Sequence, residues 1–163
     1  MSEFQGNFLT KIASFIPGYK GYADKEARRD SDKLLRAAIV KQLGDAKPKI
    51  DQTTSDYMRS GRVAHVEKLG QVKRKLENAA TLIRVAPQGY SGMFDTLQVK
   101  AEDLDKLYRH DLGVQEKAAQ VAGLVGGLGA AKDPAPAIAA VITALEELEA
   151  LVRQRDIVIA EVR

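Results

Sequence analysis

The sequence predicts an all-α fold: an elongated up-and-down antiparallel helical bundle of three long helices and one shorter one, preceded by an amphipathic N-terminal helix. Three observations predict it. Apolar residues recur every three or four positions along most of the chain, the spacing of a single helical face. The five prolines stand at Pro17, Pro48, Pro87, Pro134 and Pro136. Each marks a place where a helix is expected to stop or start, because proline has no amide donor and crowds the preceding turn. No stretch sustains the period-two alternation that a half-buried strand requires.

The elements follow in order. Phe4, Phe8, Leu9, Ile12, Phe15 and Ile16 share one face of a first helix, which Pro17-Gly18 ends. Gly18 to Tyr22 is a Tyr/Gly joint. A shorter helix is expected from Asp24, a plausible N-cap, to Leu43, with Gly44 as its C-terminal stop. Asp24–Arg28 and Asp32–Arg36 are favourable i,i+4 pairs within it. Its core face is Leu34, Leu35, Ala38, Ile39 and Leu43. Next, a long helix is expected from Pro48 to Val85, its stripe running through Ile50, Thr54, Tyr57, Gly61, His65, Leu69, Val72, Leu76, Ala79 and Ile83. At 1.5 Å per residue such a rod spans roughly 57 Å, which calls for coiled-coil-like packing. After a second joint at Pro87–Ser91, Phe94 to Val125 resumes the period through Leu97, Ala101, Leu104, Tyr108, Leu112, Gln115, Ala119 and Ala122. Gly126-Gly127, Gly129 and Asp133-Pro134 separate it from a last helix carrying Ile138, Val141, Ile142, Leu145, Leu148, Val152 and Ile159. Residues 1–22 are expected to form an amphipathic segment and joint, and residues 23–163 a single helical-bundle domain.

Composition narrows the function classes. With 163 residues and 45% hydrophobic side chains, one domain can bury a core. The absence of cysteine excludes a disulfide scaffold, a thiolate metal site and a catalytic thiol. No apolar run approaches the length of a membrane span, and residues 1–10 lack the basic-then-apolar pattern of a secretory signal, so a cytoplasmic protein is expected. The formal charge of +3 conceals an asymmetry. Residues 1–80 carry 16 Lys/Arg and 10 Asp/Glu (+6), and residues 81–163 carry 9 and 12 (−3). Acids interleave with the bases, so paired rim charges between packed helices are favoured over a phosphate-binding face.

Two stretches carry a resemblance. Ile16-Pro17-Gly18-Tyr19-Lys20-Gly21-Tyr22 is followed by Lys25-Glu26, Arg28-Arg29-Asp30 and Asp32-Lys33-Leu34-Leu35-Arg36. Gly89-Tyr90-Ser91-Gly92-Met93-Phe94-Asp95 is followed by Glu102-Asp103-Leu104-Asp105 and Leu107-Tyr108. Together they cover about a quarter of the chain and resemble segments of a group of uncharacterised bacterial proteins. The resemblance implies a bacterial cytoplasmic origin and an α-helical domain. It brings no activity and no functional residue.

Candidate sites are few. Glu102, Asp103, Asp105 and Asp111, with Tyr108 and His110 nearby, are the best metal candidates. Carboxylate-bridged bundles, however, use Glu-x-x-His, and the residues three before His110 and His65 are Leu107 and Arg62. His65 has no nucleophile placed with it, so a core-edge histidine is expected. Gly123 to Gly129 lacks the Gly-Lys-Ser/Thr ending of a phosphate loop and reads as a helix joint. Lys68, Lys73, Arg74 and Lys75 form the densest basic cluster, but without stacking aromatics or a helix-turn-helix they argue against nucleic acid.

The remaining candidates are contact residues. Phe4, Phe8, Ile12 and Phe15 form an apolar face that would dock on the bundle, join two copies or lie on a membrane surface. Tyr19, Tyr22, Tyr90 and Phe94 mark the joints as candidate binding surfaces, and packing of the tyrosines over the bundle ends beside Arg28 or Arg29 explains them equally well. No catalytic residue, metal ligand or cofactor is expected. The sequence therefore points to a non-enzymatic interaction or scaffold protein working through a protein partner or a homo-oligomer, with a peripheral membrane adaptor as the alternative.

Overall fold

The computed structural model describes residues 3–21, 25–85 and 101–161, and among them every regular element is helical. Five α-helices follow one another: α1 (Glu3–Phe15), α2 (Lys25–Arg59), α3 (Val66–Val85), α4 (Ala101–Gly127) and α5 (Pro134–Glu161). Short 3-10 turns at Val63–His65 and Leu128–Ala130 stand before α3 and after α4. The expected stop at Gly44 and restart at Pro48 do not occur, because α2 runs through both and spans roughly 52 Å. Proline inside a helix removes one ladder bond and costs about 3 kcal/mol. Against that stands an unbroken stripe of Leu35, Ile39, Leu43, Ala46, Ile50 and Tyr57, all nearly inaccessible to solvent on both sides of the proline. Burial of those side chains outweighs one lost hydrogen bond, and Pro48 itself is exposed.

The real stop comes at Gly61, which the sequence places within the long helix. Gly61 has a φ of 79°, in the left-handed region that glycine adopts without penalty. The Arg62 amide donates to the Tyr57 carbonyl at 2.8 Å and the Gly61 amide to the Met58 carbonyl at 3.4 Å. Those two bonds are the pair that closes a Schellman C-cap. His65 consequently lies in the short turn beyond the cap and not on a long helical stripe.

One hydrophobic core is shared by all five helices. α2 packs on α3 and α4 on α5, while α2 also meets α4 and α3 meets α5. The ion pairs give the directions. Asp51 of α2 meets Lys73 of α3 at 2.5 Å, whereas Arg36 near the start of α2 reaches the Ile83 carbonyl near the end of α3 at 3.3 Å. These two helices therefore run in opposite directions. In the same way, Asp111 and Lys117 of α4 meet Arg155 and Glu147 of α5. By contrast, Tyr57 late in α2 reaches Leu128 just after α4, so α2 and α4 run in the same direction.

α4 is rotated from its expected register. The buried positions are Leu104, Leu107, Tyr108, Asp111, Val114, Ala118, Val121 and Val125. Leu112, Gln115 and Ala122 are only half-buried, and Ala119 is exposed. A pattern search skips an aspartate, and here Asp111 sits in the core. α3 matches its stripe through Leu69, Val72, Leu76, Ala79 and Ile83, and α5 through Ile138, Val141, Leu145, Leu148 and Val152, while Ile142 is half-buried and the Ile159 side chain lies outside the described residues.

Candidate functional site

α1 uses its apolar face for internal packing. Phe8 and Ile12 are buried, and the Phe8 ring centre lies 4.8 Å from that of Tyr108 on α4. Phe4 stacks on Phe8 and is half-buried, with the Arg109 guanidinium 4.3 Å above its ring. Two polar bonds fix the register: Gln5 donates to Asp105 at 2.8 Å, and Lys11 pairs with Glu116 at 2.8 Å. Phe15 is different. It is 64% exposed and leaves its ring in solvent at the end of the helix.

The following joint is pinned as well. Gly18 and Gly21 have φ values of 87° and 81°, and a Cβ on Gly21 would come within 2.5 Å of the Tyr108 hydroxyl. Ser31, fully buried on α2, accepts from the Lys20 amide at 3.2 Å and donates to the Gly21 carbonyl at 2.9 Å. Tyr19 is buried edge-on against Phe8. Of the two readings of this tyrosine, binding surface or packing, its burial fits packing. Tyr22, Tyr90 and Phe94 lie outside the described residues, as do the side chains of the Asp24–Arg28 pair.

Beside this joint, charge is buried. Arg155, 7% exposed, sits on the α5 stripe one step beyond Val152. Its Nη1 lies 2.6 Å from Asp32 Oδ1 on α2, and its Nε 2.9 Å from Asp111 Oδ1 on α4. Asp32 also holds Arg36 Nε at 2.9 Å, and Arg36 donates to the Ile83 carbonyl of α3. Two cations and two anions thus neutralise one another while tying four helices together. Such a network stabilises only when complete, because removing one member strands a charge in low dielectric. His110, next to Asp111, has its pKa held below the usual histidine value by burial, which Arg155 reinforces and Asp111 opposes.

The other sequence candidates disperse. Glu102 is exposed, the Asp103 side chain lies outside the described residues, Asp105 takes the Gln5 amide and Asp111 faces Arg155. Among the described residues no three His, Asp or Glu side chains are grouped to hold a metal ion. Gly123 to Gly127 continue α4, and Leu128 beyond them is buried, its carbonyl accepting the Tyr57 hydroxyl at 3.0 Å. In the basic cluster Lys73 pairs with Asp51 and Lys75 with Glu146, which leaves Lys68 and Arg74 on the outer side of α3. No described helix is long and apolar enough to cross a membrane.

Two concave features among the described residues join sequence candidates to new residues: a depression on α3 of about 660 Å³ lined by Lys68, Arg74 and Lys75 with Glu67, Gln71 and Asn78, and a groove between the parallel helices α2 and α4. The α2–α4 groove encloses about 470 Å³, floored by Ala38, Ala46 and Ala122 and flanked by the exposed Phe15. Lys41, Asp45 and Lys49 stand along its α2 side. Gln42 and Gln115 also line it, and each has a buried side-chain carbonyl oxygen with no hydrogen-bond partner among the described residues. A buried acceptor left unpaired costs about 1–3 kcal/mol. No signal in the sequence singles out Gln42. Arg155 was legible in principle, since it continues the three-four spacing of the α5 stripe. No family model, curated protein or solved structure matches the chain.

Proposed function

We propose that this chain is a non-enzymatic interaction protein: an elongated up-and-down helical bundle of the bacterial cytoplasm that works through protein–protein contact, with itself as the first partner. The observation that carries this reading is the groove between α2 and α4, at whose edge Phe15 leaves its ring exposed to solvent. A phenylalanine ring left in water at the edge of a groove is a surface that a polypeptide would cover. The buried charges support it, because Asp32, Arg36, Asp111 and Arg155 are spent on one another.

The membrane alternative asks more of the molecule. Lipid insertion of α1 would have to pull Phe8 and Ile12 out of the core and break the Gln5–Asp105 bond. Light scattering on the purified full chain tests the main reading, which expects an assembly larger than one chain. A strict monomer that floats with anionic vesicles would replace it with the alternative.

A further inference from the structure

We propose that the charged end of the bundle is an acid-sensitive latch: His110 Nε2 holds a proton only when α4 and α5 part there, so acid populates a form open at that end and closed at the other. The inference goes beyond the contact reading above and does not rest on it. The placement of the ring carries it. His110 stands at the seam between the two helices, where the Leu151 carbonyl of α5 accepts a hydrogen bond from the ring. Nε2 is shielded from solvent and bonds nothing among the described residues. Nδ1 is therefore the donor, and Nε2 carries the lone pair that a proton would take. In the closed form a proton there finds neither water nor an acceptor, and a buried charged donor left unpaired is costly.

Two charged side chains act on the ring, Asp111 from α4 and Arg155 from α5. Asp111 is no acceptor for it while the latch is shut. Arg155 holds both of its oxygens, Nε on Oδ1 at 2.9 Å and Nη2 on Oδ2 at 3.4 Å. α2 reaches the site through Arg155, whose other partner, Asp32, is shared with Arg36. A protonated His110 thus sets three cations against two carboxylates in a buried cluster. Parting of α4 from α5 relieves both conditions, because water then solvates the Nε2 proton and Asp111 is released from Arg155. Leu151 and Arg155 stand four residues apart on one face of α5, so the contacts to the ring and to Asp111 are lost together. The proton and the opening are one event, a shift of population toward the form that binds the proton. His65, the other histidine of the chain, belongs to the turn at the opposite end, where it packs edge-on against Tyr57.

Hydrogen exchange of the full chain, followed by mass spectrometry and corrected for the intrinsic pH dependence of exchange, tests the latch. As pH falls below the ordinary histidine value of 6.5, amides of residues 107–114 and 148–155 are expected to lose protection by about threefold relative to residues 50–57 and 121–128. His110→Gln keeps an amide on the seam, takes no proton and is expected to abolish that difference while His65 is still present. His110→Lys carries a charge at neutral pH and is expected to show the open pattern there. Loss at the charged end of the wild type that disappears in His110→Gln supports the latch. A ring that takes its proton by turning outward would leave both ends equally protected at every pH, and that result overturns it. So does a loss at the charged end that persists in His110→Gln. The wild-type comparison of the two ends needs no variant, so a variant that fails to fold leaves the test intact.

Discussion

The two ends of the four-helix core are closed by opposite means. At the end where α2 begins, Arg155 and Asp111 occupy core positions and are matched by Asp32 and Arg36. At the end where α2 stops, the buried Tyr57 fills the interior, its one hydroxyl bonding the Leu128 carbonyl and its ring lying under the Arg62 guanidinium at 5.0 Å. The charged end depends on every partner being present and fixes which helices meet. The tyrosine end depends on area and a single hydrogen bond, and tolerates change better. Loss of one member should therefore separate the two ends by several-fold in stability.

The largest effect is expected at the charged end. Arg155→Met leaves Asp111 and Asp32 facing each other without their shared cation and should lower unfolding stability by about 3–5 kcal/mol in chemical denaturation. A loss under 1 kcal/mol would mean that water already reaches the site. At the opposite end, Gly61→Ala meets no neighbouring atom but forces a side chain into left-handed backbone, so about 1–2 kcal/mol is expected. Tyr57→Phe keeps the ring and removes the bond to Leu128, for about 1 kcal/mol by thermal melting. Equal losses for Arg155→Met and Tyr57→Phe would erase the contrast between the ends.

The smallest effect is a pH dependence confined to the charged end. His110 binds its proton less readily folded than unfolded, so between its folded pKa and the unfolded value near 6.5 the unfolded chain holds more protons. Stability should fall as pH drops through that window and level off below the folded pKa. Comparing denaturation midpoints of wild type and His110→Gln across the window checks this, since the variant's profile should be flatter there.

The same contrast explains what could be read from sequence. The all-helical class, the α3 and α5 stripes and the end of α1 at Pro17-Gly18 follow from apolar spacing and turn chemistry, which are local properties. The α4 register does not, because Asp111 is a core residue only by virtue of Arg155, 44 positions away. Likewise, Pro48 looks like a boundary until the burial of Ala46, Ile50 and Tyr57 is known. Of the candidate contact residues, Phe15 remains exposed, whereas Phe8, Ile12 and Tyr19 are buried, Phe8 against Tyr108 and Tyr19 in a joint that Ser31 holds through Lys20 and Gly21, Tyr108 and Ser31 being distant residues that no periodicity connects to them. The groove was invisible for a similar reason: Gln42 and Gln115 acquire meaning only when α2 and α4 lie side by side.

Contact between copies is the central claim, and the mass of the full chain across a dilution series tests it most directly. Sedimentation equilibrium should show a weight-average mass rising with concentration from 17.8 kDa toward twice that value. A mass that stays at 17.8 kDa at every concentration would contradict it.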